Sequence, residues 1–451
     1  MEHVMKKALE GLGGDYAEIR IERSESTVLT FMGPVLEDIG TRFTLGGCVR
    51  VCVGGGWGFA SFNSPGEIGI SAKAARDMAK LTAGERTELA PVDPVVDSIQ
   101  SGAAIDPTTI SLEEKHELLK KYNDIMIADS EIVTTKSDYR DNKKDVWLHT
   151  SEGTMLHQET VRAGVSVAAT AKDGANVQRG FKSFGDTNGF DTVLNLEGEV
   201  EDAVRIARDL IKAPKVKGGV YPVILDQELS GVFAHEAFGH LSEADFIYEN
   251  PQALEMMKMG RRFGPDFLNI IDDGSLRGES GYVPYDDEGV RGGKTYLIRN
   301  GILSGRLHSR ETAGKMGEEP TGNSRAISAS YGPIVRMTST YIDTGDSSFD
   351  EMLEGIGDGI YACGFIGGMT DLERFTFSSA YAFRIENGKI TTPVRDVILS
   401  GNVFETLNSV SMIGNDLTLF GGLGGCGKGS QSPLPVSDGS PHIRVENVLI
   451  G

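Results

Sequence analysis

Cysteine is scarce in this sequence: four residues in 451, at Cys48, Cys52, Cys363 and Cys426. So few, with no repeated pair spacing, cannot make a disulfide framework, and a reducing compartment is expected. Cationic residues are short too, because 44 Lys and Arg against 65 Asp and Glu leave a net charge of −21. Such a chain repels phosphate backbones and anionic headgroups, and no dense Lys/Arg cluster offsets that field, so neither nucleic acid nor a membrane is expected as a partner. No run approaches the roughly 18 uncharged apolar residues of a membrane span. The first ten residues lack the apolar core of a secretory leader, and the reading is a cytoplasmic protein.

Glycine, by contrast, is plentiful at 58 residues, and tight turns between many strands follow. From Tyr16 to Phe62, β-prone runs (17–23, 27–31, 42–53, 58–61) alternate with glycine turns, as in an antiparallel meander. Helical spacing is expected over 67–81 and 112–128, joined by an exposed segment rich in Pro, Asp and Thr. Strands are expected again at 145–150, 160–170 and 178–184, then a helix over 199–212 with acids first and lysine last. Residues 213–219 look like a linker. Beyond it come a buried strand at 220–225, a helix starting near Leu229, and then glycine turns and strands to the end. The expected class is α+β in two domains, 1–212 and 213–451, each with a largely antiparallel sheet and packed helices, the second β-rich.

The most informative string is His235-Glu236-Ala237-Phe238-Gly239-His240 within an apolar helical run. In the zincin motif two histidines four apart lie about 40° around a helix and reach one metal; five apart they lie about 140° around and splay. A one-residue π-bulge would bring them back to one face, and Gly239 lowers the barrier to that distortion. A metal site here therefore demands a helix defect. Glu236 stands where a zincin carries its general base, and is otherwise a solvated helix residue. Two imidazoles are too few for tight zinc binding. Cys426, among glycines near the carboxyl end, is the candidate third ligand, since thiolate suits zinc; the alternative is a small buried apolar residue, the reading taken for Cys48, Cys52 and Cys363. Glu243 and Asp245 are either partners of the imidazole N–H groups or solvated acids.

The glycines at 422, 424 and 427 imitate a nucleotide loop, and Gly422 to Lys428 imitates a P-loop up to its last position. That position is Gly429 instead of Ser or Thr, and Ser430-Gln431-Ser432-Pro433 breaks the helix both motifs need, so no nucleotide cofactor is expected.

Together these residues resemble the TldD/PmbA family of metallopeptidases. The resemblance rests on 235–245, Asp286-Asp287-Glu288-Gly289-Val290, Pro320-Thr321-Gly322-Asn323, Arg336 to Tyr341, Ile385 to Lys389, Gly414 to Leu417 and Gly424 to Lys428, and more weakly on Asp15 to Arg20. The chain keeps the motif that some relatives have lost, so it is similar to the active TldD type. The resemblance implies that His235, His240 and Cys426 bind Zn2+ and that Glu236 activates water. It further implies a homodimer, or a heterodimer with an inactive paralogue, whose cavity admits unfolded or extended peptides. Two rivals stand beside this zinc peptidase: a thiol hydrolase with Cys426 as nucleophile, and a non-catalytic subunit of a peptidase complex.

Overall fold

The computed structural model describes residues 1–84, 88–371 and 373–451. Helix α1 (Glu2–Glu10) precedes three antiparallel strands, β1 (Tyr16–Met32), β2 (Val35–Val53) and β3 (Gly56–Phe62), and then α2 (Ile68–Leu81). A short strand β4 (Val96–Ile99) leads to α3 (Leu112–Ile127), the long strands β5 (Ile132–Thr150), β6 (Met155–Asp173) and β7 (Asn176–Asp186), and α4 (Glu197–Lys212). The strands form one sheet in the order β3-β2-β1-β5-β6-β4, with β7 also paired to β6. The two runs expected at 17–23 and 27–31 are one strand. The polar stretch between them stays extended because its main chain is paired on both sides, Ser26 lying opposite Arg42 and Asn142. Part of the expected connection after α2, residues 85–87, lies outside the described residues.

Alternation decides which face of this sheet meets what. Ile19, Ile21, Val49 and Val51 point towards α1 and α2, packing with Met5, Ala72 and Ala75. Val165 and Val167 of β6 pack with Leu119 and Tyr122 of α3 and with Val200 and Ala203 of α4. The opposite face carries polar side chains that reach the carboxyl-terminal half: Arg20 ion-pairs with Asp287, Arg50 lies 2.7 Å from Glu288, and Arg162 donates to the Ser280 carbonyl at 2.6 Å.

The second half opens with β8 (Gly219–Leu225) and α5 (Gln227–Ala234). β8 pairs with strands 358–371 and 443–450, the sheet continues through 398–402 and 374–386 to 389–394, and 358–371 pairs back onto 374–386. The sheet thereby curls upon itself around an apolar core. α5 inserts Leu229 and Phe233 into that core, Phe233 meeting Phe375 edge-on at 5.3 Å. A second sheet runs in the order 302–303, 294–299, 270–273, 339–342, 437–440, 418–420 and lies on the other side of α5. With 44% strand against 24% helix and antiparallel pairing dominant, the fold is α+β. Among the described residues no helix is long and apolar enough to cross a membrane.

Candidate metal centre

α5 starts at Asp226, whose carboxylate accepts from Leu229 N at 2.8 Å and from Gly364 N at 2.8 Å, fixing the helix start to the curled sheet. The helix stays regular only to Ala234. Residues His235–Gly239 form a π-helical turn, followed by a 3-10 turn at His240–Ser242. The defect is where the five-residue histidine spacing requires one, and it brings the two rings to 5.1 Å between centroids, at 89° to each other. Gly239 is needed at the widened turn: a Cβ there would meet the Met337 sulfur at 2.1 Å, and Met337 is fully buried. Gly239→Ala is expected to destabilise the fold by about 1–3 kcal/mol through overpacking, read as a lowered denaturation midpoint.

Cys426 arrives from the far end of the sequence on a hairpin, 426–428 paired with 431–434, and its carbonyl accepts from buried Arg336 at 2.6 Å. The thiol sulfur lies 3.5 Å from Nε2 of His240, and ligand atoms of His235, His240 and Cys426 all fall within 4.8 Å of one another. Zinc bound at ~2.0 Å to nitrogen and ~2.3 Å to sulfur in a tetrahedron places such atoms about 3.5 Å apart. The donor set is the borderline-soft mixture zinc favours, and three protein ligands are the number a catalytic zinc uses. The residues therefore fit the ion.

Electrostatics reinforce the fit. Burial would raise the Cys426 pKa, but contact with His235 and His240 lowers it to about 6, favouring thiolate. Burial would lower the pKa of His240, yet the thiol and Glu243 raise it to about 9. His235, likewise opposed by burial, is raised well above the ordinary value by Asp438 and Cys426. These shifts favour an ionised thiol beside protonated rings, and a cation entering the cluster competes with those protons.

The outer nitrogens are held as well. Nδ1 of His240 lies 3.0 Å from Glu243, and Nδ1 of His235 lies 2.7 Å from Asp438 on strand 437–440, an ionic contact off the line of a hydrogen bond. Glu236 is the outward member: its side chain is one-third exposed, and its carboxylate lies 4.0 Å from the same His240 nitrogen that faces the sulfur.

Comparison with known proteins identifies the chain at this point. Residues 17–79, 105–213 and 218–451 match the PmbA/TldA metallopeptidase domain 1, central domain and C-terminal domain in turn. A metalloprotease of Synechocystis sp. is 46% identical over 97% of this chain and 95% of its own. The chain belongs to the PmbA/TldD metallopeptidase family. A zinc metalloprotease TldD homologue of Saccharolobus solfataricus is 32% identical, covering 99% of this chain and 98% of its own. The crystal structure of TldE from Thermococcus kodakarensis superposes with a TM-score of 0.80 at 21% identity, over 100% of this chain and 99% of that one, and shares the fold.

Of the acids singled out in the sequence of this PmbA/TldD metallopeptidase, Glu243 touches an imidazole and Asp245 does not. Asp245 instead accepts from Lys428 at 2.6 Å and from Val335 N at 3.2 Å. The sequence reading passed over Asp438 and Lys428. Lys428 bridges Glu243 (3.1 Å) and Asp245, tying the Cys426 hairpin to the turn after His240. Its signal was its spacing, two residues after Cys426 in the same short strand. Lys428→Met is expected to weaken metal binding 10–100-fold, measured by chelator competition, because Glu243 loses the cation that holds it in place.

Proposed function

We propose that this metallopeptidase is zinc-dependent and hydrolyses unfolded or extended peptides, with His235, His240 and Cys426 as metal ligands and Glu236 as general base. The observation that carries the reading is the convergence of the three ligand atoms within 4.8 Å, beneath an outward-facing carboxylate, on a helix that breaks its regularity to achieve it. Bound zinc supplies Lewis-acid polarisation of a peptide carbonyl and a water of lowered pKa. The chain's own groups do the rest. Glu236 takes the proton of the attacking water at its carboxylate and returns it to the leaving amine. Glu243 accepts from Nδ1–H of His240 and so directs the lone pair of Nε2 inward; Asp438, in ionic contact with Nδ1 of His235, favours a proton on that nitrogen.

Residues 1–212 serve in this reading as the dimerisation and cavity-wall domain. Support comes from β2: β3 covers only its 47–53 portion, so among the described residues 35–46 have one open edge, where Phe43 is 71% exposed. Such an edge suits either strand addition by a peptide or pairing with a second subunit, identical or paralogous.

One observation favours a second reading. A thiol of pKa about 6 at 3.5 Å from an imidazole is also the arrangement of a thiol hydrolase, with Cys426 as nucleophile. Elemental analysis and a chelator separate the two. The zinc reading expects about one zinc per chain, cleavage of unfolded peptide lost on chelation and restored by zinc. Cleavage by the metal-free protein would overturn it.

A further inference from the structure

The sheet face opposite α3 and α4 meets the loop that delivers Cys426. Gly164 of β6 makes this contact possible, since a Cβ there would strike Leu423 at 2.5 Å. Beside the contact is a cleft of about 240 Å³, walled by Arg140 and Arg162 on the sheet and by Gly422, Leu423, Gly424 and Pro433 on the loop and hairpin. The two arginines are diagonal neighbours on adjacent strands: Arg140 pairs with Gly164, and Arg162 with Asn142. Both guanidiniums therefore project from the same face.

Neither forms an ion pair among the described residues. Arg162 spends one donor on the Ser280 carbonyl, and Arg140 makes no side-chain hydrogen bond or ion pair among the described residues. Behind them, Arg325 and Arg336 are buried and likewise donate to backbone carbonyls, of Pro435 and Met337 and of Cys426 and Gln431. Asp186 also lines the cleft; neutral Asn188 and Thr192 hold its oxygens, and its charge acts on Arg162 without forming an ion pair. Burial and the neighbouring Arg325 pull the Arg162 pKa down to about 9. A guanidinium does not give up its proton, so Arg162 stays charged in this buried setting, only partly offset by Asp186. In a chain with 21 more acids than bases, cations left unpaired beside a cleft point to an anion supplied from outside. Arginine's planar fork matches a carboxylate.

We propose that this cleft is a substrate subsite that binds a carboxylate of the peptide through Arg162 and Arg140, next to the loop carrying Cys426. The proposal rests on the peptidase reading. At long range the protein's negative charge disfavours acidic peptides, but beyond about 8 Å that field is screened at physiological salt, and short-range contacts decide selection. The carboxylate comes from an acidic side chain or from the peptide's own carboxyl terminus.

The test uses the full-length, zinc-loaded protein and labelled hexapeptides in which a single Glu is moved along an otherwise neutral sequence, each made with a free or an amidated terminus. Binding is read by fluorescence anisotropy and cleavage as kcat/KM. One Glu position, or the free terminus, should be favoured roughly tenfold or more over the neutral amide. The amidated series assigns the preference to a side chain, and the free-terminus series to the α-carboxylate. In Arg162→Gln, and in Arg140→Gln at an exposed position without side-chain contacts, that ratio should fall towards one. No preference in the wild type, or a preference that survives both substitutions, overturns the subsite. Charge-selective binding without any cleavage would instead overturn the peptidase reading and leave the subsite standing.

Discussion

Glu236→Gln is expected to retain zinc at the wild-type level and to cleave unfolded peptide 10²–10⁴-fold more slowly, equivalent to about 3–5 kcal/mol of lost transition-state stabilisation. The substitution keeps size and polarity and removes the negative charge and, with it, the capacity to accept a proton. It also leaves the fold alone, because the carboxylate is partly exposed and its contact is the His240 ring at 4.0 Å. Metal content by elemental analysis separates the two ways of losing activity. Zinc retained with cleavage lost is the signature of a missing base. Zinc retained with cleavage intact would remove Glu236 from the mechanism and leave polarisation alone to carry the rate.

The parts of the site legible in the sequence were those written as local spacing. A spacing of five positions from His235 to His240 is incompatible with a shared face on a regular helix, and the glycine beside the second histidine showed where the distortion could be accommodated; the π-turn at 235–239 lies there. Chain-distant contributions were harder. Asp438 is an ordinary acid in Val-Ser-Asp-Gly-Ser, and only the placement of strand 437–440 along α5 brings it to His235. Arg162 looks like a solvated charge on an alternating strand until the sheet is seen to have both faces covered, one by helices and one by the other half of the chain. Strand length is hard to read from the sequence for a related reason. Ser24-Glu25-Ser26 has turn-like composition, but ladders on both edges of β1 satisfy its main chain and override that local preference. The α+β class survived such errors because it depends on where strands and helices occur and not on where each one stops.

Cys426→Ala is expected to abolish stable zinc binding and cleavage together, and it decides between the two hydrolytic readings when paired with chelation and alkylation. Removing the thiol leaves two imidazoles, fewer than a catalytic zinc site uses, so the loss should exceed the 10–100-fold that a supporting residue costs. The site itself should survive, because the Cys426 backbone is held independently by Arg336 and by its hairpin partner Leu434. A thermal scan makes the loss visible without substrate. Zinc at 100 times its Kd stabilises the wild type by about 2.7 kcal/mol, and that increment should vanish in the variant. A nucleophilic thiol predicts a different pattern: chelator-treated wild type stays active, iodoacetamide inactivates it, and zinc inhibits by occupying the sulfur. In the metal reading zinc shields Cys426 from iodoacetamide, and the metal-free protein, inactive though it is, alkylates readily because its thiol is already ionised near pH 7. Rapid alkylation of metal-free protein is common to both mechanisms, so activity after chelation is the measurement that separates them.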